Sequence, residues 1–264
     1  MMKQKTLLRY PGGKSFAINA IIPYFPDNLQ EMVSPFFGGG SIEIQSALSG
    51  IRVWGYDIFE PVVFFWQHVL QKNKELYERI SEFPIPLPKE TFYKMQKEFK
   101  DLTDPLEIAA QFYVLNRCSF SGTTLSGGMS PSQKNWNPRS IERIREFNLG
   151  SGLFSSNDML SVDRGDFTES LERHQGIFSY LDPPYLLENS TLYGNRGSTH
   201  KDFDHLKLHE ILSNRTTPWA LSYNDHPELL ELYKGYNIYK PEWRYAMKSK
   251  GGCKESYEIL VTNY

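Results

Sequence analysis

The stretch Glu31-Met32-Val33-Ser34-Pro35-Phe36-Phe37-Gly38-Gly39-Gly40, continued by Ser41 to Leu48 and by Ile51 to Asp57, sets the fold class. Glu31 to Phe37 reads as a buried strand, the glycines as a turn that opens a helix through Leu48, and Ile51 to Tyr56 as a second strand ending at Asp57. Strand, glycine turn, helix and strand in that order make a βαβ unit, whose right-handed crossover lays both strands parallel in one sheet. Glycines after a first strand let the backbone approach a nucleoside ligand closely. An acid at the end of the second strand, here seventeen residues past Gly40, can accept hydrogen bonds from ribose hydroxyls. The run is not GxGxxG, so it specifies no pyrophosphate cradle, and such a turn also serves plain helix packing.

Upstream, Ser15 to Ile22 has a helical pattern and is preceded by Pro11-Gly12-Gly13-Lys14. A Walker loop would need glycine where Leu8 stands, so an NTPase is not supported. Lys14 at a helix start can bind a carboxylate or stand solvated beside its glycine turn. Downstream of Glu60 the texture changes to helical runs, Glu60 to Ile80, Lys89 to Lys100 and Asp104 to Arg117, with no strand between them. A short Pro-rich connector, Phe83 to Pro88, reads as extended. The polar, glycine-containing stretch Cys118 to Pro138 is long for a loop inside a compact domain, and such loops are usually functional. Residues 60–150 therefore read as an inserted, mostly helical domain, with 1–59 and 151–264 forming the α/β domain. There alternation resumes with strands Gly152 to Ser156, Gly176 to Leu181, Pro218 to Tyr223, Tyr236 to Arg244 and Ser256 to Asn263, and with helices around Asp202 to Ser213 and Pro227 to Lys234.

Composition excludes disorder and a disulfide scaffold: 40% of residues are hydrophobic, and the two cysteines, Cys118 and Cys253, sit in no Cys/His spacing that would mark a zinc site. No metal is expected. The pair His205 and His209, spaced i, i+4, lacks an acidic third ligand on its face and reads as a solvated helix surface. With no apolar leader and no long apolar span, the chain is expected to be soluble, unprocessed and cytoplasmic, with no membrane partner.

Leu181-Asp182-Pro183-Pro184-Tyr185 is the most specific string in the chain. Two prolines lock the backbone just after a buried strand, at the sheet edge where open α/β folds bind ligands. The turn presents a carboxylate and a fixed carbonyl, which are two acceptors for an amino group, and an aromatic face for a planar ring.

Pro11-Gly12-Gly13-Lys14, the Phe-Phe-Gly-Gly-Gly run and Asp-Pro-Pro-Tyr, in that order with the insertion before the last, resemble the Dam-type (D12-class, alpha-group) N6-adenine DNA methyltransferases from Leu8 almost to Tyr264. The resemblance implies a class I S-adenosylmethionine-dependent methyltransferase (Rossmann-like) sheet, with S-adenosylmethionine as donor and S-adenosylhomocysteine as product. It also implies double-stranded DNA as substrate, the insertion as target-recognition domain, and a monomer or weak dimer in a bacterial or phage-infected cell. By it, Tyr10 and Lys14 hold the methionine end of the donor, Phe36, Gly38 and Gly40 pass beneath it, and Asp57 binds its ribose. Asp158, expected just past the strand Gly152 to Ser156, takes the donor's adenine amine with Met159 beside it. Asp182 and the Pro183 carbonyl grip the target amine, Pro184 stiffens the turn, and Tyr185 stacks on the target ring.

Asn116-Arg117-Cys118-Ser119-Phe120-Ser121-Gly122 resembles the family's Asn-Arg-Tyr-Gly-Tyr-Asn-Gly stretch, which puts Phe120 in the place of an aromatic wedge inserted beside the flipped base. The other reading is an aromatic packed in the insertion's own core. Three residues past that glycine, GATC-reading relatives carry an arginine that pairs with guanine; here Leu125 stands, so a target other than GATC, or relaxed specificity, is expected. Arg117, Ser121, Lys134 and Arg139 are the remaining expected DNA contacts of the insertion. The whole-chain charge of -2 argues for no polyanionic partner, but Val114 to Arg145 nets +4 and Arg244 to Lys254, with Lys248 and Lys250, carries four cations and no acid. The rival readings are an N4-cytosine DNA methyltransferase, which more often has serine at Asp182, and a non-catalytic DNA-binding relative, which would lose Asp182 or Tyr185. RNA or protein-glutamine methyltransferases more often have asparagine there, and a nicotinamide-dependent oxidoreductase gives the Asp-Pro-Pro-Tyr turn no role.

Overall fold

A computed structural model of the chain describes residues 5–149, 156–186, 203–241, 248–249, 252–253 and 258–264. Seven strands form the sheet: β1 (Glu31–Ser34), β2 (Arg52–Asp57), β3 (Leu160–Arg164), β4 (Phe178–Leu181), β5 (Trp219–Asn224), β6 (Asn237–Tyr239) and β7 (Glu258–Thr262). Their spatial order is β3-β2-β1-β4-β5-β7-β6, parallel from β3 to β5, with β7 antiparallel between β5 and β6. The strand order reverses between β1 and β4, and such a switch point opens a crevice at the strands' carboxyl ends.

Both faces of the sheet are covered, as a parallel sheet requires. Alternate residues serve opposite layers: Met32, Val53, Leu160 and Phe178 belong to one apolar cluster, while Val33, Leu181, Leu221 and Ile259 belong to the other. The helices are α1 (Ile18–Ile21), α2 (Ser41–Leu48), α3 (Glu60–Gln71), α4 (Asn73–Ser81), α5 (Lys89–Glu98), α6 (Pro105–Cys118), α7 (Pro138–Arg145), α8 (Ser156–Met159), α9 (Phe167–Arg173), α10 (His205–Ser213) and α11 (Pro227–Leu232). Local chemistry starts several of them. Asp104 caps α6 with Pro105 at its first position, Asn137 and Ser140 form a capping box on α7, and Asp166 caps α9 through the amides of Thr168 and Glu169.

The insertion shares a core with the sheet. Trp66 of α3 donates from its indole to the Gly38 carbonyl at 3.0 Å, Gln67 donates to the Val162 carbonyl at 2.9 Å, and Phe65 stacks flat on Tyr113 of α6 at 5.3 Å. One helix thus covers β2 and β3 on one side and packs against α6 on the other. The run Glu60 to Ile80 is two helices, because Lys72 leaves the helical conformation (φ -141°, ψ 40°) between them.

Two expectations need correction. The strand found in this region runs from Leu160 to Arg164, and Ser156–Met159 is a short helix before it; residues 152–155 of the expected strand Gly152 to Ser156 lie outside the described residues. The expected strand Tyr236 to Arg244 is confined to Asn237–Tyr239, and residues 242–247 lie outside the described residues.

Candidate active site

A cavity of about 540 Å³ opens at the carboxyl ends of β1, β2 and β4. It is walled by residues 10–14, the Pro35 to Glu43 turn and helix start, Asp57 to Phe59, Asp166 to Thr168, Asp182 to Tyr185, and Phe203, Asp204 and Lys207. The glycine turn and the Asp-Pro-Pro-Tyr turn, 142 positions apart from Gly40 to Asp182 in sequence, therefore face one space.

The turn's geometry follows from its residues. Gly40 sits at φ 65° as the cap of α2, where a Cβ would lie 2.6 Å from the Phe37 ring, so only glycine fits. The Gly38 amide donates to Asp57 Oδ2 at 2.8 Å and the Phe59 amide to Oδ1 at 2.8 Å. Asp57 thus ties the ends of β1 and β2 together. Burial pushes its carboxyl up to about 6, against the lowering effect of these amides. Phe36 stacks on Phe167 at 5.8 Å and meets Phe203 edge-on at 5.6 Å, forming an aromatic wall. Ile58, 52% exposed, lies across from it on the cavity rim.

At the other end, Lys14 is 3% exposed and is not solvated. Its Nζ lies 2.7 Å from Asp182 Oδ1 and 2.9 Å from Oδ2, and donates to the Tyr185 hydroxyl at 2.6 Å and to the Gly12 carbonyl at 3.0 Å. Glu258 of β7, also buried, stands 3.6 Å from the same atom. Burial alone would lower the Lys14 ammonium, but Asp182 and Glu258 outweigh it and hold the group above its ordinary value, so it stays charged. Ser222 donates to Asp182 Oδ1 at 2.9 Å. The expectation that Lys14 holds a donor carboxylate meets a different arrangement: the buried cation already serves the acids of the Asp-Pro-Pro-Tyr end. Nearby Glu43 accepts from the Ser34 hydroxyl at 2.6 Å, and burial pushes its carboxyl up to about 7.

Asp158 is exposed at the surface and Met159 packs against the apolar cluster beneath α3, and neither lines the cavity. The physical reason is the displaced strand. The carboxyl end of β3 is followed by Gly165, Asp166 and Phe167, and it is this acid and this aromatic that face the cavity. Asp166 gives Oδ1 to both capping amides of α9, which leaves Oδ2 to other partners. The alternation Leu160, Val162 with an acid-aromatic pair just beyond was the signal in the sequence. Ile58, Phe203, Lys207, Glu43 and Glu258 were also missed, and nothing local in sequence marks the last two, which enter through burial and long-range contact.

In the insertion, Phe120 is 62% exposed on a short turn rather than buried, which removes the core-packing reading. Asn116 holds that turn to the N-terminal arm: its Oδ1 accepts from the Arg9 amide at 2.9 Å, and its Nδ2 donates to the Arg9 and Gly122 carbonyls at 3.0 and 3.2 Å. Gly122 (φ 77°) passes so close to the Arg9 carbonyl that a Cβ would lie 1.9 Å from it. Ser121, exposed at φ 52°, sits beside Phe120 at the tip. Arg117 is corrected: it is 9% exposed, and its guanidinium donates to the carbonyls of Asn135 at 2.9 Å and Leu7 at 3.3 Å, so it braces the loop instead of facing DNA. Arg139 is exposed but paired with Glu146 at 2.7 Å, an acid one residue beyond the segment counted as basic. Lys134 is exposed with no acid paired to it among the described residues. Lys248 lies in a small hairpin, 248–249 with 252–253, and its side chain, like Lys250 altogether, lies outside the described residues.

Among the described residues no group of three or more His, Cys, Asp or Glu side chains is placed to hold a metal ion. His205 contacts the Tyr223 hydroxyl and His209 packs on Tyr233, so the two rings have separate partners. No described helix is long and apolar enough to cross a membrane.

The family described as "D12 class N6 adenine-specific DNA methyltransferase" matches residues 10–247. The chain is similar to the type II methyltransferase M1.LlaDCHI of Lactococcus lactis subsp. cremoris, at 25% identity over all of this chain and 98% of that protein. It is similar to the DNA adenine methylase of Vibrio cholerae, at 24% identity over 99% of this chain and 96% of that one. To the type II methyltransferase M.FokI of Planomicrobium okeanokoites it is 27% identical, over 98% of this chain but only 43% of the relative.

Proposed function

Since the chain belongs to the D12 class of N6 adenine-specific DNA methyltransferases, we propose that this cavity carries out the transfer with donor and target amine held at opposite ends. The observation that carries this reading is the convergence of the glycine turn, Asp57 and the Asp-Pro-Pro-Tyr turn on a single space. Enzymes of this family use S-adenosylmethionine, which supplies an electrophilic methyl group.

The residues fit that ligand. The cavity is within the size range of small-molecule sites. Asp57 has acceptor capacity for ribose hydroxyls, and Ile58 and the Phe36 wall offer apolar faces to a ring. Asp166, rather than Asp158, takes the donor's adenine amine, because it faces the cavity with Oδ2 to spare. Tyr10, whose ring lies against Gly38, and the backbone of Gly12 and Gly13 border the methionine end.

The target adenine has to leave the duplex to reach the cavity, which costs a few kcal/mol of lost stacking and pairing. Stacking on Tyr185 returns roughly 1 to 3 kcal/mol. Asp182 and the Pro183 carbonyl accept hydrogen bonds from the N6 amine, favouring a nitrogen that gathers positive charge as its bond to the methyl carbon forms and the methyl's bond to sulfur breaks, the surplus N6 proton then passing to solvent; this is electrostatic stabilisation and needs no covalent intermediate. Pro183 and Pro184 hold the acceptors in line, so alignment costs little at the moment of reaction. Phe120, exposed at the tip of a turn braced by Asn116, fills the gap left by the extruded base. Residues 60–150 recognise the target in double-stranded DNA, with α3 shared between this segment and the sheet. Lys134 contacts a phosphate, Arg139 does so at the expense of Glu146, and Ser121, Lys248 and Lys250 complete the contact surface. Leu125 in place of a guanine-reading arginine favours a target other than GATC. The enzyme acts in the cytoplasm as a monomer or weak dimer.

Methylome sequencing of a methylation-deficient host expressing either the native chain or Asp182→Ala tests this reading. N6-methyladenine at a site other than GATC, absent with Asp182→Ala, is expected. Marking confined to GATC refutes the target assignment, and methylation retained in Asp182→Ala refutes the role of that carboxylate.

A further inference from the structure

We propose that Glu258 is a positioning residue for methyl transfer: by sharing the Lys14 ammonium with Asp182, it lets that lysine release a carboxylate oxygen of Asp182 to the target amine. The proposal rests on the role given above to Asp182 and extends it to a residue in the last strand, remote from every motif of the site.

Both Asp182 oxygens lie within 2.9 Å of Lys14 Nζ, and Oδ1 also accepts from Ser222. In this arrangement the acceptor needed by the amine is engaged by a cation. An ammonium has three N–H groups, and that of Lys14 faces Gly12 and Tyr185 as well. A lysine buried this deeply cannot withdraw from Asp182 unless another acid receives it, because an uncompensated buried charge is strongly disfavoured. Glu258 meets that need. It opens β7 opposite Asn224 of β5, is 3% exposed, and points Oε2 at Nζ from 3.6 Å, so a shift of about one ångström exchanges one ion pair for another.

Charge supports the same exchange. The groups that face Lys14 are Asp182 and Tyr185 from the turn after β4, Glu258 from β7, and, at longer range, Glu43 from α2. Tyr180 of β4 sees the same acids and is held neutral by burial. Two close carboxylates, Asp182 and Glu258, share this one ammonium, a setting that suits a nitrogen that becomes positive during transfer. Replacing Glu258 by glutamine removes one of the two carboxylates and leaves Lys14 bound more firmly to Asp182.

The test is single-turnover transfer of tritiated methyl from S-adenosylmethionine to unmethylated duplex DNA carrying the target site, between pH 8 and 9.5, above the range in which Asp57 and Glu43 titrate. Glu258→Gln should be 10- to 100-fold slower than the native enzyme at pH 8, with calorimetric donor affinity within threefold. Its rate should climb with pH, because Lys14, short of one carboxylate, gives up its proton more readily than in the native enzyme and so frees Asp182; the native rate should stay flat. Glu258→Asp, whose carboxylate stands farther from Lys14, should show the same recovery from a smaller loss, and it decides the matter if the glutamine variant does not fold. A Gln variant at native rate, a loss equal at every pH, or an Asp variant that is fast and pH-flat overturns the proposal. Asp182→Ala measured alongside separates the two readings: transfer retained there removes the foundation as well, whereas an unaffected Gln variant with Asp182→Ala inactive removes only the role of Glu258.

Discussion

Asp57→Asn separates the two tasks of the carboxylate that joins the strands to the donor end of the cavity. Asp57 takes the Gly38 amide on one oxygen and the Phe59 amide on the other, both at 2.8 Å. Asparagine supplies one oxygen, so one amide faces an NH2 group, which costs about 1–3 kcal/mol of stability for a buried donor left unpaired. Hydrogen bonds from ribose hydroxyls to a charged acceptor are also lost, about 1.5–3 kcal/mol, or roughly 10- to 150-fold in donor affinity. The pH dependence gives an independent check. Burial holds the carboxyl at about 6, so native donor affinity should be constant above pH 7 and fall by up to tenfold per unit below 6, as the acceptor is protonated. In Asp57→Asn this fall should vanish. Calorimetric titration with S-adenosylmethionine from pH 5 to 8 measures both. Affinity within threefold of native, or a variant that keeps the native pH slope, would refute the assignment.

Glu43 offers a stability counterpart. Its folded value of about 7 lies above the ordinary carboxylate value, so the folded state binds the extra proton between about pH 4.5 and 7, and stability from this group falls as pH rises through 7. Glu43→Gln should therefore raise the melting temperature at pH 8, by a gain of about 1–3 kcal/mol, and leave it nearly unchanged at pH 5; differential scanning calorimetry at the two pH values checks this. Phe120→Ala should alter stability by no more than about 0.5 kcal/mol, since the ring is exposed, yet slow base extrusion, read as a reduced rise of 2-aminopurine fluorescence at the target position; an unchanged rise would remove the wedge. Lys134→Ala should lower the slope of log affinity against log salt by about 1, measured by fluorescence anisotropy on duplex DNA. Arg117→Ala should leave that slope alone and lower the melting temperature, because its partners are protein carbonyls; the opposite pattern would reverse the two assignments.

The α/β fold was legible because its signals are local. The predicted helix Ser41 to Leu48 and the predicted strands at β1, β2, β4, β5 and β7 are found within a few residues of their expected bounds. Hydrophobic periodicity and glycine punctuation depend on neighbours along the chain, and here neighbours agree. The reading slipped at residues 156–164, where the strand was expected to end at Ser156 and β3 instead runs from Leu160 to Arg164; the acid expected at the site, Asp158, accordingly stands eight residues before Asp166, the acid that lines the cavity. Charge counting slipped for a related reason. Arg117 and Arg139 contribute equally to a segment's net charge, but one is consumed by buried carbonyls and the other by Glu146.

The glycine turn, Asp57 and the Asp-Pro-Pro-Tyr turn were enough to point to a nucleoside ligand and to acceptors for an amino group, because they work through backbone geometry and acceptor chemistry that residue type and spacing prescribe, whereas reaction class, donor and substrate were legible only through the resemblance of these motifs to a family. Tertiary structure alone decided how the site is charged. Lys14, Glu43, Asp182 and Glu258 come from the N-terminal turn, α2, the loop after β4 and the last strand, and they meet only when the sheet closes with β7 between β5 and β6. Burial at that junction raises the carboxyl of Glu43, while close acids keep the Lys14 ammonium charged, and neither effect exists in the unfolded chain, where water screens every one of these groups from the others.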